Sequence, residues 1–236
     1  MQRPHFLIEY DEISSTLDIA HDLAAKGADA GTLIVAKAQT AGRGRMGRTW
    51  RSELGAGLWL TMVERPHDAS ALEVLSLRIG LALAPVLDAF ADAPIQLKWP
   101  NDLYVNGRKL AGILIEARWR EGQPEWVAIG VGINLRPPAS EPRAIGLRGD
   151  TDRDAVLAAV APALREAAAH AGPLTSAELH AFASRDFAVG KRCVEPLSGT
   201  VAGIDTSGAL LVSVASANGA TITTVRAGSL VLEEAS

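Results

Sequence analysis

Apolar positions recur along this chain with two periods, and segments of the two kinds are interleaved. Phe6 to Tyr10 reads as a strand. Ser14 or Ser15 then stands where a cap would open a helix running to about Lys26, with Asp18 in its first turn and Gly27 as its stop. Thr32 to Ala38 and Leu58 to Glu64 are β-branched or apolar runs of strand length. Ser70 to Phe90 repeats with helical spacing from a serine start, and Pro85 should bend it. Ile95 to Trp99 reads as a strand ended by Pro100. Leu103 to Val105, Asn106-Gly107 and Arg108 to Glu116 form the strongest hairpin signal, because Asn-Gly suits a type I′ turn. Trp126 to Leu135 is a further strand, and Asp154 to His170 and Ser176 to Val189 read as helices.

After Gly190 the texture changes. Val194, Thr200 to Ile204, Leu210 to Val214 and Thr221 to Val225 are short strand signals, punctuated by Ser207-Gly208 and Asn218-Gly219. The expectation is an α+β body over residues 1–189, with a mixed, largely antiparallel sheet flanked by helices, because hairpins outnumber β-α-β crossovers. A small β-barrel-like unit should follow over 190–236.

The 236 residues are 48% hydrophobic and 21% charged, enough for a real core and against wholesale disorder. A net charge of −4 argues against a protein that coats nucleic acid. The first residues lack an apolar signal-peptide core, and the longest apolar stretch, Ile79 to Ala91, is too short to span a bilayer and holds Pro85 and Asp88. The single cysteine, Cys193, excludes an intrachain disulfide and a multi-cysteine zinc site, and should be a small buried residue. The five histidines are scattered without ligand spacing, so no protein-held metal is expected. Neither a membrane nor nucleic acid is an expected partner, and a cytoplasmic protein is the simplest reading.

Against this acidic background, Gln39 to Trp50 stands out. Gly42, Gly44 and Gly47 are interleaved with Arg43, Arg45 and Arg48, Arg51 follows, and no carboxylate lies among them. Glycines allow close backbone approach, and guanidinium forks match carboxylates and phosphates. A loop that closes over an anion fits better than a merely solvated basic loop. The spacing also matches the dinucleotide fingerprint and, with arginine for lysine, nearly matches a P-loop. Both need a helix directly after the glycines. Trp50 to Gly57 is too short for one and is broken by Gly55 and Gly57, so neither is expected.

Three further segments carry chemistry. Lys98-Trp99-Pro100-Asn101-Asp102 crowds a cation, an aromatic, an amide and a carboxylate at a strand end, although Pro-Asn-Asp is also plain turn chemistry. In Lys109 to Glu116, strand alternation puts Lys109 on the face of Ala111, Ile113 and Ile115, and Gly112 on the other. An amine on that face is either at an edge or aimed at a ligand. Gly130, Gly132 and Asn134 alternate with apolar residues and leave a bare platform, suited either to a flat ring such as a nucleobase or to tight packing under a helix. Trp59, Trp119 and Trp126 read as core or edge packing. No serine–histidine constellation supports a hydrolase.

Taken in order, Ser15-Thr16, Gln39 with Gly42 to Arg48, Lys98 to Asp102, Lys109 to Ile113 and Gly130 to Leu135 resemble the biotin–protein ligases. That resemblance implies a class II synthetase-like catalytic domain and an SH3-like C-terminal barrel. It implies attack of the biotin carboxylate on the α-phosphate of ATP, then transfer of biotin from biotinyl-5′-AMP to a lysine of a biotin carboxyl carrier protein. Two anions at about 4 Å repel by about 4 kcal/mol at an effective dielectric of 20, so placed cations are the catalytic requirement. By resemblance, Arg43, Arg45 and Lys109 meet the carboxylate and phosphate. Ser15, Thr16 and Gln39, with Gly42, Gly44 and Gly112 around them, hold biotin. Arg48 and Lys98 face the ATP phosphates with Mg²⁺, and Trp50, Asn101 and Asn134 complete the nucleotide site. Asp102 is the expected acceptor of the incoming lysine's proton.

Met46 and Leu17 depart from the family pattern, where an arginine and a polar residue are common. Phe6 opens the first strand directly, so a DNA-binding helix-turn-helix is not expected. The protein should be a monomer or homodimer. Two rivals share the architecture or the ligand: a lipoate–protein ligase, and a non-catalytic biotin sensor.

Overall fold

Strand signals cluster near the start, middle and end of the chain, and in the folded molecule they sort into two sheets. The computed structural model describes residues 6–66, 68–137, 140–216 and 219–233. The larger sheet has seven strands: β1 (Leu7–Ile13), β2 (Leu33–Gln39), β3 (Gly57–Glu64), β4 (Gln96–Lys98), β5 (Asp102–Val105), β6 (Arg108–Arg120) and β7 (Gln123–Asn134). Their spatial order is β1-β2-β3-β7-β6-β5-β4. Only β1 and β2 pair in parallel, joined through α1 (Thr16–Ala25); every other neighbouring pair is antiparallel. The hairpin-rich sequence therefore yields the mixed, largely antiparallel sheet it implies.

Local chemistry sets the element ends. Ser15, extended at φ −157°, caps α1 by accepting from Leu17 N at 3.3 Å, and Gly27 at φ 92° ends it. Asn106 and Gly107, at φ 49° and 74°, make the expected turn between β5 and β6. Glu121 and Gly122, at φ 51° and 79°, make a second one between β6 and β7, so both strands run beyond their sequence-derived bounds.

Two helices begin or end elsewhere than the pattern implies. Ser70 opens no α-helix, because its amide and hydroxyl both turn to the Asp68 carboxylate at the head of a 3-10 turn over Ala69–Glu73. The α-helix proper, α2 (Leu75–Asp88), starts after Val74 and accommodates Pro85. Helix α3 spans Arg153–Ala168. Helix α4 (Ser176–Arg185) stops four residues short of Val189. Asp186 turns extended and bridges to Leu97, and Phe187 N donates to Leu97 O, so this chain joins the edge of β4.

The smaller sheet, of order β11-β10-β9-β8-β12, gathers β8 (Arg192–Glu195), β9 (Gly199–Ile204), β10 (Leu210–Ser216), β11 (Gly219–Val225) and β12 (Val231–Leu232), all antiparallel. Asp205 binds the Ser207 and Ala209 amides in the expected Ser207-Gly208 turn; Asn218 lies outside the described residues. Cys193 is buried there, its thiol 3.2 Å from Leu197 O. No described helix is long and apolar enough to cross a membrane.

The large sheet buries both faces. One carries the main core, with α2 and α3 packed over Leu60, Ile113, Ile129 and Val131. The other carries a smaller cluster of Leu17, Ala20, Ala24, Ile34, Val63, Trp126 and Ala128 under α1. On this second face β6 and β7 present Gly112, Gly130 and Gly132, with Gly112 paired to Gly132 and Leu114 to Gly130. The missing side chains leave a hollow beside the N-terminus of α1.

Candidate active site

That hollow is the floor of a cleft of about 1220 Å³. It exceeds the ordinary range for one small ligand and has room for two substrates side by side. Its walls come from the N-terminus of α1, the arginine loop, the β4–β5 turn, the 141–144 segment and the C-terminal sheet.

The arginine loop is a tight hairpin. Gly44 N donates to Arg48 O at 2.7 Å and Trp50 N to Gly42 O at 2.9 Å, around a tip where Met46 and Gly47 have φ 56° and 73°. A Cβ on Gly42 would lie 2.3 Å from Trp50 O, so that glycine serves the close approach of the two arms. The next element is β3, not an α-helix, which removes the dinucleotide and P-loop readings on the grounds the sequence provided.

One end of the cleft is a mesh of uncharged polar groups. Gln39 Oε1 accepts from Thr16 N at 2.8 Å and from Thr16 Oγ1 at 3.1 Å. Gln39 Nε2 donates to Ser52 Oγ at 2.7 Å, and buried Thr61 donates to Thr16 Oγ1 at 2.8 Å. Ser15 lies beside them in the lining. Nothing in the sequence marks Ser52 or Thr61 as a site residue. Thr61 is one hydroxyl within an apolar strand, and only its partner at the start of α1 reveals its part.

The other end is cationic. Arg45, Arg48, Lys98, Lys109 and Arg143 all line it, with Asp102 among them. The Lys109 ammonium lies 2.7 Å from Asp102 Oδ1 and 5.2 Å from the Trp50 ring centroid. Burial, above all, pulls the Lys98 ammonium below the usual lysine range; Asp102 opposes this, while Lys109, Arg48 and Arg143 add to it. Burial likewise lowers Arg45. Cations pressed together in this way, three of them partly withdrawn from water, favour an anion among them. No cluster of three metal-binding side chains exists among the described residues.

Lys109 reaches the cleft by a route that strand alternation does not foresee. Between β5 and β6 the register slips at Leu103/Tyr104, so Tyr104 pairs with Lys109 while Leu103 pairs with Ala111. Leu110 is the extra residue, and Leu110 and Ala111 are both buried. The bulge turns Lys109 onto the face of Gly112, away from Ala111, Ile113 and Ile115. A Cβ on Gly112 would sit 3.4 Å from Lys109 Nζ. The 143–145 segment holds the bulge, with Lys109 N donating to Arg143 O at 2.8 Å and Ile145 N to Lys109 O at 2.9 Å. Asn134 Nδ2 adds a longer bond to Lys109 O at 3.4 Å.

The other expected site residues have the following neighbours within the protein. The glycine platform is covered by the Trp50 indole, since a Cβ on Gly132 would fall 2.6 Å from Trp50 Nε1, and Leu17 packs over Gly130. A nucleobase therefore has no bare floor there. Asn101 donates to Ile113 O at 2.7 Å and accepts from Arg45 Nη1 at 3.2 Å, so its amide holds that arginine. Arg45 Nη2 reaches Gly228 O at 3.2 Å, which ties the loop to the C-terminal sheet. Arg43 meets carboxylates of the protein itself, Glu116 at 2.9 Å and Asp18 at 3.1 Å. Trp99 is buried and donates to Gly208 O at 2.9 Å. Of the tryptophans read as packing, Trp119 is half exposed, Trp59 is buried, and Trp126 is buried with a hydrogen bond to His21.

The five sequence segments thus converge on one cleft, and a family model covers the part of the chain that builds most of it. The model of the biotin/lipoate A/B protein ligase family matches residues 10–134, more than half of the chain. The chain belongs to that family. A biotin--[acetyl-CoA-carboxylase] ligase of Paracoccus denitrificans is 33% identical over 212 residues, 80% of this chain and 86% of that relative. The bifunctional ligase/repressor BirA of Bacillus subtilis is 42% identical over 130 residues, 55% of this chain; the match spans only 40% of that relative. Among solved structures, a biotin protein ligase from Aquifex aeolicus in complex with biotin and ATP superposes with a TM-score of 0.78. It is 26% identical, and the match covers 98% of this chain and 100% of that one. The family fold thus extends across both sheets.

Proposed function

We propose that this family member catalyses ATP-dependent biotinylation of a lysine on a biotin carboxyl carrier protein, through biotinyl-5′-AMP. One observation carries the reading: a single cleft joins an uncharged hydrogen-bonding end, at Thr16 and Gln39, to a crowded cationic end, at Arg45, Arg48, Lys98 and Lys109. Biotin has the matching halves, a ureido ring and a carboxylate tail. The carboxylate oxygen attacks the α-phosphorus, the bond to the β-phosphate bridging oxygen breaks, and pyrophosphate leaves. Lys109 and Arg45 stabilise the charge on the reacting oxygens, and Arg48 and Lys98 that on the departing pyrophosphate. The carrier amine then attacks the acyl carbon, AMP leaves, and Asp102 takes the amine proton.

Mg²⁺ enters as the counter-ion of ATP. It would be held largely by phosphates and water, beside Arg48 and Lys98. Residues 1–189 form the catalytic unit in this reading, and 190–236 a C-terminal unit that closes one wall through Gly228 and the 229–233 segment. The polar mesh favours biotin over lipoate, whose dithiolane ring offers no comparable donors.

The test is pyrophosphate release when purified protein is mixed with ATP and either biotin or lipoate. Release with biotin alone is expected. Release with lipoate alone would transfer the reading to the other branch of the family, and none with either would leave a binding protein.

A further inference from the structure

Arg43 sits in the arginine loop, yet its guanidinium is spoken for within the protein. Its Nη2 lies 2.9 Å from Glu116 Oε2 and 3.1 Å from Asp18 Oδ1. The same Glu116 oxygen meets His21 Nε2 at 3.0 Å, and His21 Nδ1 meets Trp126 Nε1 at 2.9 Å. An indole N–H can only donate, so His21 Nδ1 is the acceptor. The proton of the neutral imidazole is then on Nε2 and is donated to Glu116. Trp126 thereby fixes the tautomer of His21, His21 fixes the orientation of Glu116, and Glu116 receives Arg43. The members come from β7, α1, β6 and the loop.

An isolated exposed ion pair would contribute little to stability. This one differs in having a second donor, His21, on the same carboxylate oxygen. It also lies at the rim of the cleft: Glu116 is two residues beyond Leu114 on the same strand face, and both Leu114 and Arg43 line the cavity. His21 is one turn along α1 from Leu17, another lining residue.

We infer that Glu116, held by His21, is a positioning residue that clasps the arginine loop over the cleft through Arg43, and so governs how long the acyl-adenylate is retained. This rests on the ligase reading above. Arg43 then works chiefly as the clasp, and charge neutralisation falls to Arg45, Arg48 and the two lysines.

The test compares wild type with Glu116→Gln and His21→Leu. Biotin dependence of adenylate formation is measured, together with the rate at which preformed adenylate escapes the protein. Loss of one charge-assisted hydrogen bond should raise the KM for biotin and the escape rate by about tenfold, with kcat for adenylate formation changed much less. His21→Gln, which can still donate to Glu116, should restore most of the retention. Melting temperature is followed in parallel, and His21→Leu gives an independent reading if Glu116→Gln is unstable. Retention equal to wild type in folded Glu116→Gln or His21→Leu overturns the inference and leaves the ligase reading intact. A fall in kcat with unchanged KM and escape rate also overturns it, because it would place Glu116 in the chemistry. Wild-type protein that forms no adenylate overturns both.

Discussion

Lys109 owes its position to one extra residue in a strand. The sequence marks it as a site residue through its neighbours, but period-two alternation directs it to the core face with Ala111 and Ile113. The bulge at Leu110, held by backbone bonds to the 143–145 segment, turns it to the cleft instead. Nothing local to Arg108–Gly112 announces that bulge, because its cause lies more than thirty residues downstream. Replacing Lys109 by Ala should slow adenylate formation by roughly 10²-fold in single-turnover measurements, the usual cost of one donor at a developing charge. Unchanged single-turnover kinetics would remove Lys109 from the chemistry. Arg45 is bound differently, between Asn101 and the Gly228 carbonyl, so it joins loop to C-terminal sheet. Arg45→Gly should release the adenylate early and label bystander lysines, read as biotin on unrelated proteins; intermediate kept as tightly as in wild type would refute that role.

Among the elements, those with strong turn or cap chemistry were legible, and those whose ends depend on tertiary partners were not. Asn106-Gly107 and Gly27 fix their turn and stop by backbone conformation alone. Helix α4 ends where its chain joins β4, a partner no local pattern contains. The same helix shows a pairing that sequence spacing hides. Thr175 and Glu178 form a capping box, and Glu178 also receives Arg78, buried in α2, at 2.6 Å. These bonds hold the Glu178 carboxyl down at about 2, against the opposing effect of burial, which is the largest single influence on it. A carboxylate whose folded value lies below its unfolded value stabilises the fold fully above the unfolded value, near 4.5. That stabilisation fades as pH falls from there through about 2. The contribution is at most about 3 kcal/mol. Glu178→Gln should therefore destabilise the protein near neutrality, measured by denaturant unfolding, and the difference from wild type should shrink towards pH 2. A gap independent of pH would mean that packing, not charge, is at work.

Across the whole molecule, the two sheets share a site, and hydrogen bonds between distant residues join them, two of which start from the site itself. Trp99, at the centre of the Lys98–Asp102 segment, donates to Gly208 O in the C-terminal unit, and Arg45 donates to Gly228 O. The sequence shows Trp99 plainly but not its purpose, since the partner is 109 residues away. Trp99→Phe keeps most of the buried surface and removes the indole donor. It should cost about 1 kcal/mol and lower the melting temperature by roughly 2–4 °C. A melting temperature equal to that of wild type would show that the indole hydrogen bond does not help to seat the C-terminal sheet. The larger claim is that one cleft brings a vitamin carboxylate and a nucleotide phosphate together between fixed cations. A crystal structure of the protein soaked with biotin and ATP tests this most directly. It should show the ureido ring against Thr16 and Gln39, and the carboxylate and α-phosphate together within contact of Lys109 and Arg45. A cleft that binds neither ligand, or holds them where those cations touch neither reacting group, would contradict it.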